Sequence, residues 1–182
     1  MKHFFSSLLM VSVLFLLGCA APAQFENMTY EGIIGTYDSE LNGQIELAQV
    51  KGGSKTNPLW TSQISNEDFQ RALEQSLVAQ GLLSQNGRFT LKATLIEVAQ
   101  PWIGVNLKVA TKVNYVMIDE AINDVLLDEV IEADFTATFS DAFDAVTRLK
   151  IANEGSAKAN IKRFLERLAL LRVESDLVSL QD

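Results

Sequence analysis

The chain has 182 residues, 48% of them apolar and 21% charged, with 23 Asp+Glu against 15 Lys+Arg for a formal net charge of −8. That balance excludes a disordered or low-complexity protein and fits one domain, at most two, with enough residues for a sizeable core. An acidic chain is also a poor general nucleic-acid binder, because binding requires a basic surface that neutralises phosphate.

The first element is an address. Lys2 supplies a positive flank, and Leu8 to Leu17 is apolar apart from Ser12. Ten residues are too few to cross a bilayer, which takes about 20. They have the length of the apolar region of a secretory signal, so residues 1–18 are read as a removable leader. Residues 19–42 contain Pro22, Gly32 and Gly35 with no sustained period, and they read as a tether. Part of them, such as Tyr30 to Tyr37, is open to folding against the domain.

The domain is expected over residues 43–173. Gln44 to Val50 alternates as a first strand. After a loop at 53–58, Ser65 caps a helix that carries Phe69, Leu73 and Leu77 on one face and stops at Gly81. Trp60, just before it, is assigned to the core. Three alternating patterns follow: Phe89 to Leu95, Leu107 to Met117 and Leu127 to Phe139. Short connections at 100–104 and 120–124 predict an antiparallel meander. One face is apolar. The other sets Lys92, Lys108 and Lys112 against Asp128, Glu132 and Asp134, as expected of a solvated face. A final helix takes Ala157, Ile161, Phe164 and Leu168 as its apolar stripe, with Gly155 and Ser156 allowing a bend or a close approach. Residues 174–182 read as a flexible tail. The predicted fold is therefore α+β, a two-layer sandwich of an antiparallel sheet with two helices on one face, in the order β-α-β-β-β-α.

Side-chain chemistry is sparse. The only histidine is His3 and the only cysteine is Cys19. Loss of the leader removes that histidine, which excludes His-based acid–base catalysis, Ser-His-Asp or Cys-His hydrolysis, and His or Cys zinc sites. A lone cysteine excludes an internal disulfide. No nucleophile elbow, P-loop or dinucleotide fingerprint is present, and Gly52-Gly53-Ser54-Lys55 lacks P-loop spacing and reads as a turn. The acidic cluster Asp119-Glu120, Asp124 and Asp128-Glu129 lacks a calcium-loop pattern and reads as solvated turn acids. Neither a metal nor a cofactor is expected. The remaining candidate is Pro101-Trp102-Ile103, in the connection between the first two meander strands. It is either a contact for a protein partner or lipid, or a segment folded back on the sheet edge.

Leu16-Leu17-Gly18-Cys19 resembles the lipobox of bacterial lipoproteins. In that family the cysteine thiol takes a diacylglyceryl group, the leader is cut before it, and the new amino terminus is acylated. The resemblance implies lipidation at Cys19 and a membrane partner. Ala20, in place of the Asp typical of inner-membrane retention, implies the periplasmic face of the outer membrane. The element order after Cys19 resembles a group of small periplasmic lipoproteins over residues 44–172. The group includes the lipopolysaccharide-assembly lipoprotein, the auxiliary lipoproteins of lipid-transporting ABC systems, and lipoproteins of the YajG type. Besides that order, the resemblance rests on Phe69-x3-Leu73-x3-Leu77 with Gly81-Leu82-Leu83, on Phe89–Leu95, and on Asp141-Ala142-Phe143 with Arg148. It implies a non-catalytic accessory role, binding an envelope protein or lipid. Two other readings stay open: a ligand cavity between sheet and helices, and an enzyme working with carboxylates alone.

Overall fold

The computed structural model describes residues 20–57 and 61–173. The leader, Cys19, Trp60 and the tail from Glu174 lie outside the described residues, together with the expectations placed on them.

The elements in chain order are a short helix α1 (Phe25–Met28), a 3-10 turn (Ser39–Leu41), β1 (Ile45–Leu47), α2 (Asn66–Ala79), β2 (Phe89–Ala99), β3 (Leu107–Asp119), β4 (Asp124–Ala137) and α3 (Ala145–Leu170). The four strands form one sheet in sequence order. β2, β3 and β4 are the expected antiparallel meander, with Leu91 opposite Met117 and Val113 opposite Ile131. β1 instead pairs parallel to β2, Ile45 against Phe89. The sheet is therefore mixed and not purely antiparallel, and the element order gains α1 at its start. The physical reason is the connection: a helix intervenes between β1 and β2, and a helical crossover returns the chain in the same direction. Only three residues of β1 pair as a strand, although Lys51 adds an isolated parallel bridge to Thr94.

α2 has the expected ends. Ser65 Oγ accepts from the Asp68 amide at 3.0 Å and donates to the Asp68 carboxylate at 2.7 Å. At the other end Gly81 takes φ +70°, the Leu82 amide reaches the Leu77 carbonyl and the Gly81 amide reaches Val78, both at 2.9 Å. This is a Schellman closure, and Leu82 is buried beside it.

Residues 20–42 depart most from expectation. Ala23, Phe25, Met28 and Leu41 belong to the core. The Ala23 amide donates to the Gln63 carbonyl at 3.2 Å. Buried Glu154 on α3 accepts from the Gln24 amide at 2.8 Å and from Asn27 Nδ2 at 3.0 Å. Further along, the Tyr30 amide donates to Ser76 Oγ at 2.9 Å on α2. The segment read as a tether is thus laid along α2 and α3 and filled into the core. The sequence does not signal this docking, because the apolar residues of the segment follow no period.

Between the layers the space is occupied. Tyr115 stacks on Phe164 with ring centroids 4.0 Å apart, beside fully buried Phe69, Phe89, Leu73 and Leu91. A polar seam runs along the sheet-facing side of α3. Asn153 Nδ2 donates to the Ser62 carbonyl, Thr111 Oγ1 meets Ser156 Oγ at 2.6 Å, and Asn160 Nδ2 donates to the Thr111 and Ile131 carbonyls, both at 2.8 Å. Gly155 lets α3 pack directly on the Phe135 side chain of β4, since a Cβ there would meet the Phe135 ring.

Gly52 has φ +86°, and a Cβ on it would meet the Leu95 carbonyl. Both the left-handed backbone and the close approach require glycine. Gly52→Ala is expected to cost about 2 kcal/mol and to lower Tm by roughly 5 °C in a thermal scan.

Candidate interaction surface

Two loops meet at one end of the sheet. β2 ends at Ala99, and β3 begins at Leu107 opposite Ala137, the last residue of β4. The hairpin 100–106 and the connection 138–144 are therefore neighbours. Gln100 fixes the base of the first. Its Nε2 donates to the Ser62 carbonyl and to Asn153 Oδ1, both at 2.9 Å, and its Oε1 accepts from Gln63 Nε2 at 3.5 Å. Beyond that base Trp102 is 101% exposed and Ile103 89%. The fold-back onto the sheet edge is not adopted. Val105 is also exposed.

The second loop is held from inside. Asp141 accepts from the Thr138 amide at 2.6 Å and from Thr138 Oγ1 at 2.7 Å, and these bonds hold its carboxyl below the usual range. Asp144 caps α3 by accepting from the Thr147 amide at 2.8 Å, with the same effect on its own carboxyl. Buried Arg148 donates through Nη1 to the carbonyls of Ala142 and Phe143 at 2.8 and 2.7 Å. Its guanidinium lies 5.4 Å from the Phe139 ring centroid, and Phe139 meets Phe143 edge-on at 5.3 Å. Phe143 is nonetheless 84% exposed. The result is a fixed polar base under exposed apolar tips from two loops. Pro101-Trp102-Ile103 was visible in the sequence. In the sequence Phe143 stands only at the opening of the last helix, and Phe139 falls in an alternating pattern whose strand ends two residues before it, at Ala137.

The other candidates come out differently. Asp119, expected to be solvated, is buried and paired with Arg88, whose Nη2 donates to its Oδ2 at 2.6 Å. On the open face Lys108 meets Asp134 at 3.2 Å, and Lys112 lies between Glu132 at 3.3 Å and Glu97 at 3.7 Å. Lys108–Asp134 and Lys112–Glu132 are among the expected cross-strand pairs of a solvated face, and Glu97 on β2 is an additional partner. A groove of about 430 Å³ runs between β4 and the last turns of α3, where Arg167 Nε donates to Glu129 at 2.8 Å. A second, of about 300 Å³, lies beside β1 and Glu74 of α2. Both are open surface grooves at the sheet margins. Among the described residues no three His, Cys, Asp or Glu side chains are grouped to hold a metal ion, and no helix is long and apolar enough to cross a membrane.

The chain is thus an α+β sandwich whose mixed four-stranded sheet carries its helices on one face and an apolar loop pair at one end. No family model and no curated protein matches it in sequence. Among solved structures it is similar to XCC0632 of Xanthomonas campestris, described as family DUF330, at 7% identity over 70% of this chain and 84% of that one, with a TM-score of 0.55. It is also similar to the PelC dodecamer of Paraburkholderia phytofirmans, at 15% identity over 78% of this chain and 96% of that one, with a TM-score of 0.51. Lipoprotein GNA1162 of Neisseria meningitidis covers 70% of this chain and 99% of its own at 9% identity, with a TM-score of 0.40. What the first two share with this chain is the fold.

Proposed function

We propose that the protein is a lipid-anchored lipoprotein on the periplasmic face of the outer membrane, acting without catalysis as a binding or assembly module of the cell envelope. The carrying observation is the order Leu16-Leu17-Gly18-Cys19 at the end of a ten-residue apolar run, directly before a folded body. The side-chain inventory supports the non-catalytic part. Once the leader is gone the chain has no imidazole, and its one thiol is committed to lipid. Several of the acids have structural partners: Asp119 pairs with Arg88, Glu129 with Arg167, and Glu132 and Asp134 with lysines. Aromatic and aliphatic side chains occupy the layer between sheet and helices, which favours a surface role over a ligand cavity.

Two or three long acyl chains on one residue make an effectively permanent anchor. In a fractionated envelope the wild-type chain is expected in the outer membrane, with an acylated cysteine as its first residue by mass spectrometry. Cys19→Ser is expected to move at least tenfold more of the protein into the uncleaved or soluble pool. An intact leader or an unmodified thiol in the wild type overturns the reading.

A further inference from the structure

We propose that the tips of the 100–106 and 138–144 loops form a second foot on the membrane, inserted at the lipid–water interface beside the acylated terminus; this rests on the lipid-anchor reading.

The argument begins with the missing tether. The Ala23 amide is bonded to Gln63, and the Gln24 amide to Glu154 on α3. Only residues 19–22 separate the acylated position from the docked chain, a reach of about 14 Å fully extended. The body cannot hang free of the bilayer, so the end from which the chain emerges must face it. That end is the one with the exposed loops. Gln63, which holds Ala23 through its carbonyl, bonds through its side chain to Gln100, two residues before Trp102. Following the chain the other way confirms the direction, because Tyr30 is bonded to Ser76 and Gly32 to Gln80, at the opposite end of α2.

The tips have the chemistry of an interfacial contact. Trp102 and Ile103 project from one loop and Phe143 from the other, while Gln100 and Arg148 Nη1 are bonded to backbone and side chains beneath them and the exposed Asp141 carboxylate is bonded to Thr138 of its own loop. Tryptophan favours the headgroup level, where its ring is buried and its N–H stays wet. A protein partner fits less well. The short reach from Cys19 sets these tips against the bilayer and not toward the open periplasm, where a soluble partner would meet them. The net charge of −8 also makes attraction to an anionic surface a poor drive, which leaves apolar insertion as the cause.

The test uses the mature, full-length protein reconstituted into phosphatidylcholine vesicles with and without bromine near the headgroup end of the acyl chains. The Trp102 signal is taken as the difference between wild type and Trp102→Phe, since the chain has a second tryptophan. The expected result is at least a twofold loss of that signal in brominated vesicles, with protection from aqueous acrylamide. If mass spectrometry shows an acylated Cys19 while Trp102 stays unquenched by bromine and open to acrylamide, the second foot is wrong and the anchor reading stands. If Cys19 is unmodified but bromine still quenches Trp102, the foot stands and the anchor reading falls. Protection that appears only as protein concentration rises, without bromine quenching, assigns the patch to a second copy and overturns the proposal.

Discussion

Replacing Asn160 by alanine is expected to remove about 4 kcal/mol of stability, a large share of the roughly 5–15 kcal/mol that a folded domain has in reserve. Asn160 is fully buried and uses its whole amide. Nδ2 donates to the carbonyls of Thr111 on β3 and Ile131 on β4, and Oδ1 accepts from the Tyr115 hydroxyl at 2.9 Å. Alanine leaves those groups without that partner in a site closed to water and opens a cavity beneath the sheet; each orphaned buried group costs about 1–3 kcal/mol. Tyr115→Phe should cost less, about 1–2 kcal/mol, because it deletes one donor and leaves one acceptor short. Asn160→Asp separates hydrogen bonding from volume. Its carboxylate would face two carbonyls in a buried site, so its folded-state pKa is raised. The penalty is therefore largest at neutral pH and shrinks as pH falls through that raised value, where the protonated acid regains one donor. Denaturant titrations of the three variants at pH 7 and pH 5 would check the order; a wild-type-like midpoint for Asn160→Ala would remove the seam from the account of stability.

That seam also shows what the sequence could and could not reveal. Regular alternation in β2 and β3 marked Phe89, Leu91, Val113, Tyr115 and Met117 as inward, and each is buried. The ends of α2 were equally legible, since Ser65 and Gly81 act through bonds to residues a few positions away. Periodicity failed where the partner lies far along the chain. Asn153, Ser156 and Asn160 recur every three or four residues, in register with Ala157, Ile161 and Phe164 on α3, yet that spacing alone names no buried partner for them. Their spacing was the available signal; their burial depends on carbonyls more than 25 residues away. The parallel pairing of β1 was within reach of the sequence, because a helix between the first two strands already implies a crossover that returns the chain in the same direction. At the candidate surface, Trp102 stood out by type and loop position. Its association with Phe143 follows only from the β3–β4 register, which sets Leu107 against Ala137.

The same dependence on register governs Asp119, and it gives a prediction with a definite pH signature. Phe89 pairs with Asp119, which brings Arg88 alongside; the guanidinium donates from Nε to Oδ1 at 3.1 Å and from Nη2 to Oδ2 at 2.6 Å, and the Ala121 amide adds a third donor at 3.0 Å. The Arg88 hydrogen bonds hold the Asp119 carboxyl below its ordinary value. A carboxyl lowered in the folded state stabilises the protein at every pH above its unfolded value of about 3.9, and that contribution is lost as pH falls through the lowered folded value. Asp119→Asn puts an amide N–H against the guanidinium and removes the charge, so it should cost about 3 kcal/mol at pH 7. The gap between wild type and variant should stay level down to about pH 4 and then narrow, because the wild type loses there what the variant never had. Glu40 reaches Arg88 at 3.5 Å from a more exposed position, and Glu40→Gln should cost under about 1 kcal/mol. Stability curves for the three proteins between pH 2 and 7 decide the matter: a gap that widens on acidification would mean that Asp119 is protonated in the native state and that the ion pair is not what joins β2 to the end of β3.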